Sequence, residues 1–148
     1  MKSINPVVKA ALGYDISKEE LGGDQIHVGV SGCIDNLAED EGDAFEQIRR
    51  FLSYLPSSVD EMPPRGTTDD PVDRTDESLL SFVPRDRRRP FDGRKLIPKI
   101  VDRDSFFEIA PRYGRARITG LARLNGYPVG IMANNPMFNG GATDVAAG

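Results

Sequence analysis

The side chains with the widest chemical repertoire in this sequence are its single histidine, His27, and its single cysteine, Cys33. An imidazole can act as a general base, but no serine or cysteine nucleophile motif accompanies it. The favoured interpretation of His27 is therefore a structural imidazole hydrogen-bonded at a strand, and Cys33 is expected to be a small buried hydrophobic residue. One cysteine and one histidine provide no Cys/His set for zinc. We expect no catalytic side-chain set and no metal.

Two glycine pairs, Gly22-Gly23 and Gly140-Gly141, could present free backbone N–H groups to an anion or an enolate, because glycine lets a ligand approach the backbone closely. Turn formation alone explains either pair equally well. The arginines at positions 85, 87, 88 and 89 could grip a phosphate through forked guanidinium contacts. Four charges in a proline-bounded loop are more often simply solvated, and that interpretation is favoured.

The overall charge argues against two classes of partner. The 148 residues include 23 acidic and 19 basic side chains, for a formal net charge of -4. This leaves no overall positive field to attract nucleic acid or anionic lipid. No apolar run reaches the roughly 20 residues of a membrane span, and the first eleven residues lack the apolar core of a secretion signal. With no internal disulfide available, a reducing compartment is expected.

In the N-terminal third the patterns predict short elements followed by one longer helix. Residues 6–13 are typical of a short helix that ends at a glycine, and Ser17 with Glu20 forms a capping box for a one-turn helix. Residues 26–30 alternate in polarity and predict a strand. The clearest helix carries apolar residues at three- and four-residue spacing and acidic residues at its N-terminal end, and it closes at Pro56. Its apolar positions are Phe45, Ile48, Phe51, Leu52 and Leu55.

The remaining chain divides into a connector, short helices and a hairpin. Residues 57–75 are rich in proline and polar residues, which predicts an irregular connector and a domain boundary. Residues 77–83 predict a short helix, and residues 92–101 predict a second one that Pro98 shortens or kinks. Strands are expected at 117–124 and 129–133, joined by a type I′ turn at Asn125-Gly126. A second glycine loop follows at residues 139–141.

Taken in order, the short motifs of this chain resemble the carboxyltransferase (beta) subunit of biotin-dependent acyl-CoA carboxylases, of the propionyl-CoA carboxylase type. Each motif is weak alone, but their shared order extends over nearly the whole chain. The motifs that carry the resemblance are Pro6-Val7-Val8-Lys9, Glu20-Leu21-Gly22-Gly23, His27, Ser31-Gly32, Tyr54-Leu55-Pro56, Asp70-Pro71, Asp73-Arg74, Val83-Pro84, Phe106-Phe107-Glu108, Tyr113-Gly114, Gly120-Leu121-Ala122-Arg123, Asn125-Gly126, Pro128-Val129-Gly130-Ile131 and Ala133-Asn134-Asn135-Pro136.

The resemblance implies an α/β (α+β) fold of the crotonase-like (ClpP/crotonase) superfamily. Residues 1–56 would be the C-terminal end of one ββα-superhelix domain, residues 57–91 the interdomain connector, and residues 92–148 the start of a second domain. It also implies transfer of a carboxyl group from carboxybiotin to the α carbon of an acyl-CoA such as propionyl-CoA. Family members stabilise the enolate with backbone N–H groups, which agrees with the lack of a catalytic side-chain set.

The resemblance assigns roles to two groups of residues. Asn134, Asn135, Gly140 and Gly141 match a loop that faces the biotin side of the family's active site. His27, Ser31 and Gly32 match the end of the first domain, near a subunit interface or pocket. The implied cofactor is biotin held on a partner, and acyl-CoA is the substrate. Expected partners are a biotin carboxylase, a biotin carboxyl carrier subunit and further copies in a hexamer, in the cytoplasm or mitochondrial matrix.

The family subunit is several times longer, and the segments that make its two oxyanion holes fall outside these 148 residues. We therefore expect the chain to be a truncated gene, an assembly fragment or a deliberately cut piece, inactive on its own. The residues that line the acyl pocket would also lie largely elsewhere, so the acyl chain length is not encoded here. The alternative is a non-catalytic fragment that only pairs with crotonase-like partners through exposed strand edges.

Overall fold

The computed structural model describes residues 6–86 and 88–148, so Arg87 of the arginine group lies outside the described residues. It is a mixed α/β structure, in agreement with the expected class. The helices are α1 (Pro6–Leu12), α2 (Lys18–Gly22), α3 (Asp24–Gly29), α4 (Glu41–Leu52), α5 (Leu79–Phe82) and α6 (Gly93–Leu96), and the strands are β1 (Phe107–Ile109), β2 (Arg117–Leu124) and β3 (Tyr127–Asn134). Short 3₁₀ turns occupy Ile97–Lys99 and Asn139–Gly141.

The first two helices and the long helix form where the patterns predict them. In the capping box before α2, the backbone N–H of Glu20 donates to the Ser17 hydroxyl at 3.2 Å, and the backbone N–H of Ser17 donates to the Glu20 carboxylate at 2.9 Å. The α4 helix begins after Asp40, whose carboxylate accepts the N–H of Asp43 at 2.9 Å. Local hydrogen bonding thus fixes both N-termini without help from the rest of the fold.

The predicted strand at residues 26–30 is wrong, because this segment lies in α3 and the turn after it. Gly23 has extended backbone angles and caps the helix, and its carbonyl accepts the N–H of Ile26 at 3.1 Å. The N–H of Val30 then donates to the Ile26 carbonyl at 3.0 Å. A strand needs a neighbour, and within the described residues the sheet contains only β1, β2 and β3. Five residues of alternating polarity were too few to decide the period.

The sheet is antiparallel, with the order β1-β2-β3, and the predicted hairpin is confirmed. Asn125 and Gly126 both have positive φ, at 50° and 80°, as a type I′ turn requires. The edge strand β1 was not predicted. It lies so close to β2 that a Cβ on Gly120 would overlap the carbonyl oxygen of Phe107, so the glycine permits the pairing.

The core lies on one face of the hairpin. Ile118 and Ala122 of β2 are fully buried against Ile97 and Val101, which come from the predicted helix that Pro98 shortens to α6 and a 3₁₀ turn. The other face turns towards α4 and leaves an apolar groove of about 560 Å³. Phe45, Ile48 and Leu52 of α4 are 55%, 54% and 56% exposed, so the apolar side of this helix is only partly covered.

The connector at residues 57–75 contains no helix or strand, which agrees with the prediction that it is irregular. Its second half is nevertheless attached to the hairpin region. The N–H of Gly66 donates to the Gly126 carbonyl at 2.9 Å, and the nearly buried carboxylate of Asp70 pairs with Arg74 at 2.8 Å. The other oxygen of Asp70 accepts the N–H of Arg103 at 3.1 Å. Among the described residues, no hydrogen bond joins residues 57–62 to the hairpin region.

Candidate functional site

The loop that follows β3, residues 134–141, contains the four residues that the family resemblance assigns to the biotin side. Asn135 is fully buried at its base, where its N–H donates to the Ala116 carbonyl at 2.8 Å. Its side-chain oxygen accepts the N–H of Met137 at 3.3 Å. Asn134 and Gly140 are exposed, and Gly141 is buried. The loop therefore has an outer surface at Asn134 and Gly140 and an inner support at Asn135 and Gly141.

Three consecutive residues of this loop, Asn139, Gly140 and Gly141, have positive φ, at 50°, 64° and 81°. A Cβ on Gly140 would meet no atom within 4 Å, whereas a Cβ on Gly141 would lie 3.3 Å from the Cβ of Asn134. Gly140 thus exposes its backbone to open space in a conformation that favours glycine. Gly141 is also needed for close packing inside the loop.

A buried donor without an acceptor lies under the same loop. The side-chain nitrogen of Asn135 is buried and has no hydrogen-bond partner among the described residues. Leaving such a group unpaired costs about 1–3 kcal/mol, which makes it unusual in a finished fold. The carboxylate oxygen Oδ1 of Asp70, buried to a similar extent, does have a charged partner in Arg74.

The second group of predicted residues lies at the end of α3. His27 is in the last turn of that helix, and Gly32 follows with a φ of 64°. A Cβ on Gly32 would lie 2.6 Å from the ring of Tyr113, so only glycine lets the tyrosine pack here. His27 is not hydrogen-bonded at a strand, and Cys33 is exposed, so both sequence-based interpretations are wrong. The reason is that the segment folded as a helix and a surface turn.

One open cleft of about 410 Å³ lies between the end of α3 and the loop after β3. Gly29 and Val30 of the α3 end line one side, and Phe138 and Asn139 of the β3 loop line another. His27, Gly140 and Gly141 are not among its lining residues. The cleft is therefore formed by the two segments, but none of the seven predicted residues lines it.

The sequence reasoning missed the arginines of this cleft. Arg112 and Arg115 line it together with Tyr113, and the guanidinium of Arg115 lies 3.9 Å from the centroid of the Phe138 ring. Arg112 donates to the side-chain oxygen of Gln25 at 2.9 Å, which ties the cleft to α3. The only signal in the sequence was the pair of arginines on either side of Tyr113-Gly114. Nothing in the neighbouring sequence indicated that Arg115 would contact Phe138.

Other kinds of site find no support in the described part of the chain. Within residues 6–86 and 88–148, no three His, Cys, Asp or Glu side chains converge in a way that could hold a metal ion. None of the described helices is both long and apolar enough to cross a membrane.

Comparison with known proteins gives a consistent result. The carboxyl transferase domain family matches residues 5–148. The chain is 39% identical over 142 residues to the methylmalonyl-CoA decarboxylase alpha subunit of Veillonella parvula, a match that covers 95% of this chain and 28% of that protein. It is 38% identical over 139 residues to the mitochondrial propionyl-CoA carboxylase beta chain of Sus scrofa, covering 94% and 26% of the two chains.

A solved structure has a similar fold. The structure of transcarboxylase 12S, described as a hexamer with methylmalonyl-coenzyme A and methylmalonic acid bound, superimposes with a TM-score of 0.87 at 35% identity. The superposition covers 95% of this chain and 27% of that one. This chain therefore spans about a quarter of the length of the proteins it matches.

Proposed function

Since the chain belongs to the carboxyl transferase domain family, we propose that it forms the middle part of a carboxyltransferase subunit of a biotin-dependent acyl-CoA carboxylase. The subunit would transfer a carboxyl group from carboxybiotin to the α carbon of an acyl-CoA. The names of two relatives, which refer to methylmalonyl-CoA and propionyl-CoA, support a short acyl group such as propionyl. The single observation that carries the proposal is the family match from residue 5 to residue 148.

In this proposal the crotonase-like fold is divided as the sequence suggests, at residues 1–56, 57–91 and 92–148. The irregular connector supports the division, and hydrogen bonds attach its second half to the hairpin region, which belongs to the proposed second domain. The half-exposed apolar side of α4 supports a larger subunit, because soluble proteins rarely leave a large apolar patch uncovered. The rest of the subunit would cover it and would be needed for activity.

The β3 loop would serve the biotin side of the active site. Two features of the loop surface fit a ligand with a polar ring: the open backbone at Gly140 and the exposed side chain of Asn134. When bound, biotin supplies the carboxyl group. Gly140 would keep the loop surface free of side chains, and Asn135 and Gly141 would hold the loop in shape. His27, Ser31 and Gly32 would lie near the subunit interface or a pocket.

The partners follow from the reaction. A biotin carboxylase and a biotin carboxyl carrier subunit would charge and deliver the biotin, and further copies of the subunit would complete a hexamer, as in transcarboxylase 12S. A cytoplasmic or mitochondrial-matrix location completes the proposal. The non-catalytic alternative has no comparable support, since the relatives described above are all named for carboxylase, decarboxylase or transcarboxylase activity.

A segment exchange tests this function. A full-length propionyl-CoA carboxylase beta chain would carry residues 5–148 of this protein in place of its own matching segment. We expect the chimaera to assemble and to carboxylate propionyl-CoA at a rate within about 10²-fold of the parent, because the catalytic geometry is sensitive to shifts of about 1 Å. A chimaera that folds and assembles but shows no transfer above the uncatalysed rate would contradict the proposal. The unmodified beta chain is the control.

A further inference from the structure

A nucleophile and a base lie side by side at the end of α3, apart from the biotin-side loop. The sulfur of Cys33 is 3.0 Å from Nδ1 of His27, and the hydroxyl of Ser31 donates to the same sulfur at 3.2 Å. Cys33 is exposed, so a reagent in solution can reach it. A thiol with a base within hydrogen-bond distance is the arrangement that activates cysteine nucleophiles.

The backbone holds this pair in place from two directions. The N–H of Ser31 donates to the Ile26 carbonyl at 2.9 Å, and the N–H of Ile34 donates to the His27 carbonyl at 3.3 Å, so the turn folds back on the helix. Gly32, between Ser31 and Cys33, packs against the Tyr113 ring in a conformation that favours glycine. The sulfur and the imidazole are thus positioned by the fold.

We propose that Cys33 and His27 form a thiol–imidazole pair that makes Cys33 a site of reversible modification by small disulfides. With its proton on Nε2, the imidazole accepts the thiol proton at Nδ1. The sulfur of Cys33 then attacks one sulfur of the disulfide, a new S–S bond forms, and the old S–S bond breaks. The departing sulfur leaves as a thiolate with the bonding electron pair, so the small disulfide is itself the oxidant.

Within these 148 residues the modification is confined to one position, and a thiol from outside them reverses it. Cys33 is the only cysteine among these 148 residues, so no other thiol within them can displace the attached group. A small thiol from solution must release it. The proposal concerns the chemistry of this turn and does not depend on the carboxyltransferase assignment.

The test is the rate at which the 148-residue chain reacts with the aromatic disulfide 5,5′-dithiobis(2-nitrobenzoate), followed by absorbance of the released thiolate. An ordinary cysteine is only a few per cent thiolate at neutral pH. We therefore expect the native chain to react about tenfold or more faster than the same chain in urea. His27→Asn should remove most of this difference, and Ser31→Ala should reduce it by a smaller factor.

The comparison with urea keeps the test decisive even if a variant fails to fold, since the wild-type chain alone must show the acceleration. Equal rates for native and unfolded wild-type chain would overturn the proposal. A folded His27→Asn variant that reacts as fast as the wild type would overturn it as well, because the imidazole would then have no part in the reaction.

Discussion

The carboxylate of Asp102 binds the turn of the hairpin at Gly126, whose N–H donates to one carboxylate oxygen at 2.7 Å. The N–H of Asn125 donates to the other oxygen at 2.8 Å. From the opposite side, the Gly126 carbonyl accepts the N–H of Gly66. The turn that sets the register of β2 and β3 is therefore also the place where the connector and the α6 region attach to the sheet.

Replacing Asn125 and Gly126 together by alanine should destabilise the chain by about 2–4 kcal/mol. Each left-handed alanine costs about 1–2 kcal/mol, and a Cβ on Gly126 would also overlap the Gly66 carbonyl oxygen. The measurement is the free energy of unfolding in urea. Asn125→Gly is the matched control, since glycine tolerates the positive φ, and it should change stability much less. A double variant as stable as the wild type would show that the turn does not set the register.

Limited proteolysis should cut first within residues 57–62. Val59 and Met62 are 97% and 87% exposed, whereas the next part of the connector is held by Gly66 and Asp70. A protease needs a segment that can open locally, and this one breaks few contacts when it does. Mass spectrometry of the first fragments locates the cuts. Early cleavage inside α4 or the hairpin would mean that the flexible boundary is elsewhere.

Stability should depend on the ionisation of Asp76 at low pH. A hydrogen bond from Lys99 is the main cause that lowers the pKa of Asp76 from 3.8 to about 2, and hydrogen bonds from Ser78 add to it. Because the pKa falls on folding, the stabilisation is complete above pH about 4 and is lost as the pH falls towards about 2. Asp76 lies outside the regular helices and strands and contacts Lys99. The pH dependence of stability therefore measures how strongly the segment around Asp76 is attached to Lys99.

The measurement is the difference in unfolding free energy between the wild type and Asp76→Asn at a series of pH values. This difference should be positive near neutral pH and shrink steadily below pH about 4. The exposed Asp60, changed to asparagine, is the control and should give a small difference at every pH. A difference for Asp76 that does not vary with pH would rule out the ion pair with Lys99 as its source.

The structure shows which features a sequence pattern can predict. The hairpin and the capping box were predictable because Asn125-Gly126 and Ser17 with Glu20 act over three residues or fewer. The helix α3 was missed because a short alternating run carries no clear period. Cys33 was wrongly expected to be buried, because the residues next to it do not show that it lies in a surface turn.

The features that the sequence did not predict depend on contacts between residues far apart in the chain. Nothing near Gly32 in the sequence shows that the ring of Tyr113 will pack on it, and nothing near Asp102 shows that it will bind the Asn125-Gly126 turn. The family resemblance assigned the loop after the hairpin to the biotin side, and that assignment stays a prediction.

The most direct test of that role is the rate of carboxyl transfer with free biotin in the full-length chimaera when Gly140 is changed to valine. Gly13 offers a matched control, because it too has a positive φ, of 78°, and open space where a Cβ would lie. Both substitutions should cost similar stability through backbone strain. Gly140→Val should lower the rate per folded molecule by about tenfold to 10²-fold, and Gly13→Val should leave it unchanged. Equal rates per folded molecule for both variants and the unsubstituted chimaera would contradict the assignment of the β3 loop to the biotin side.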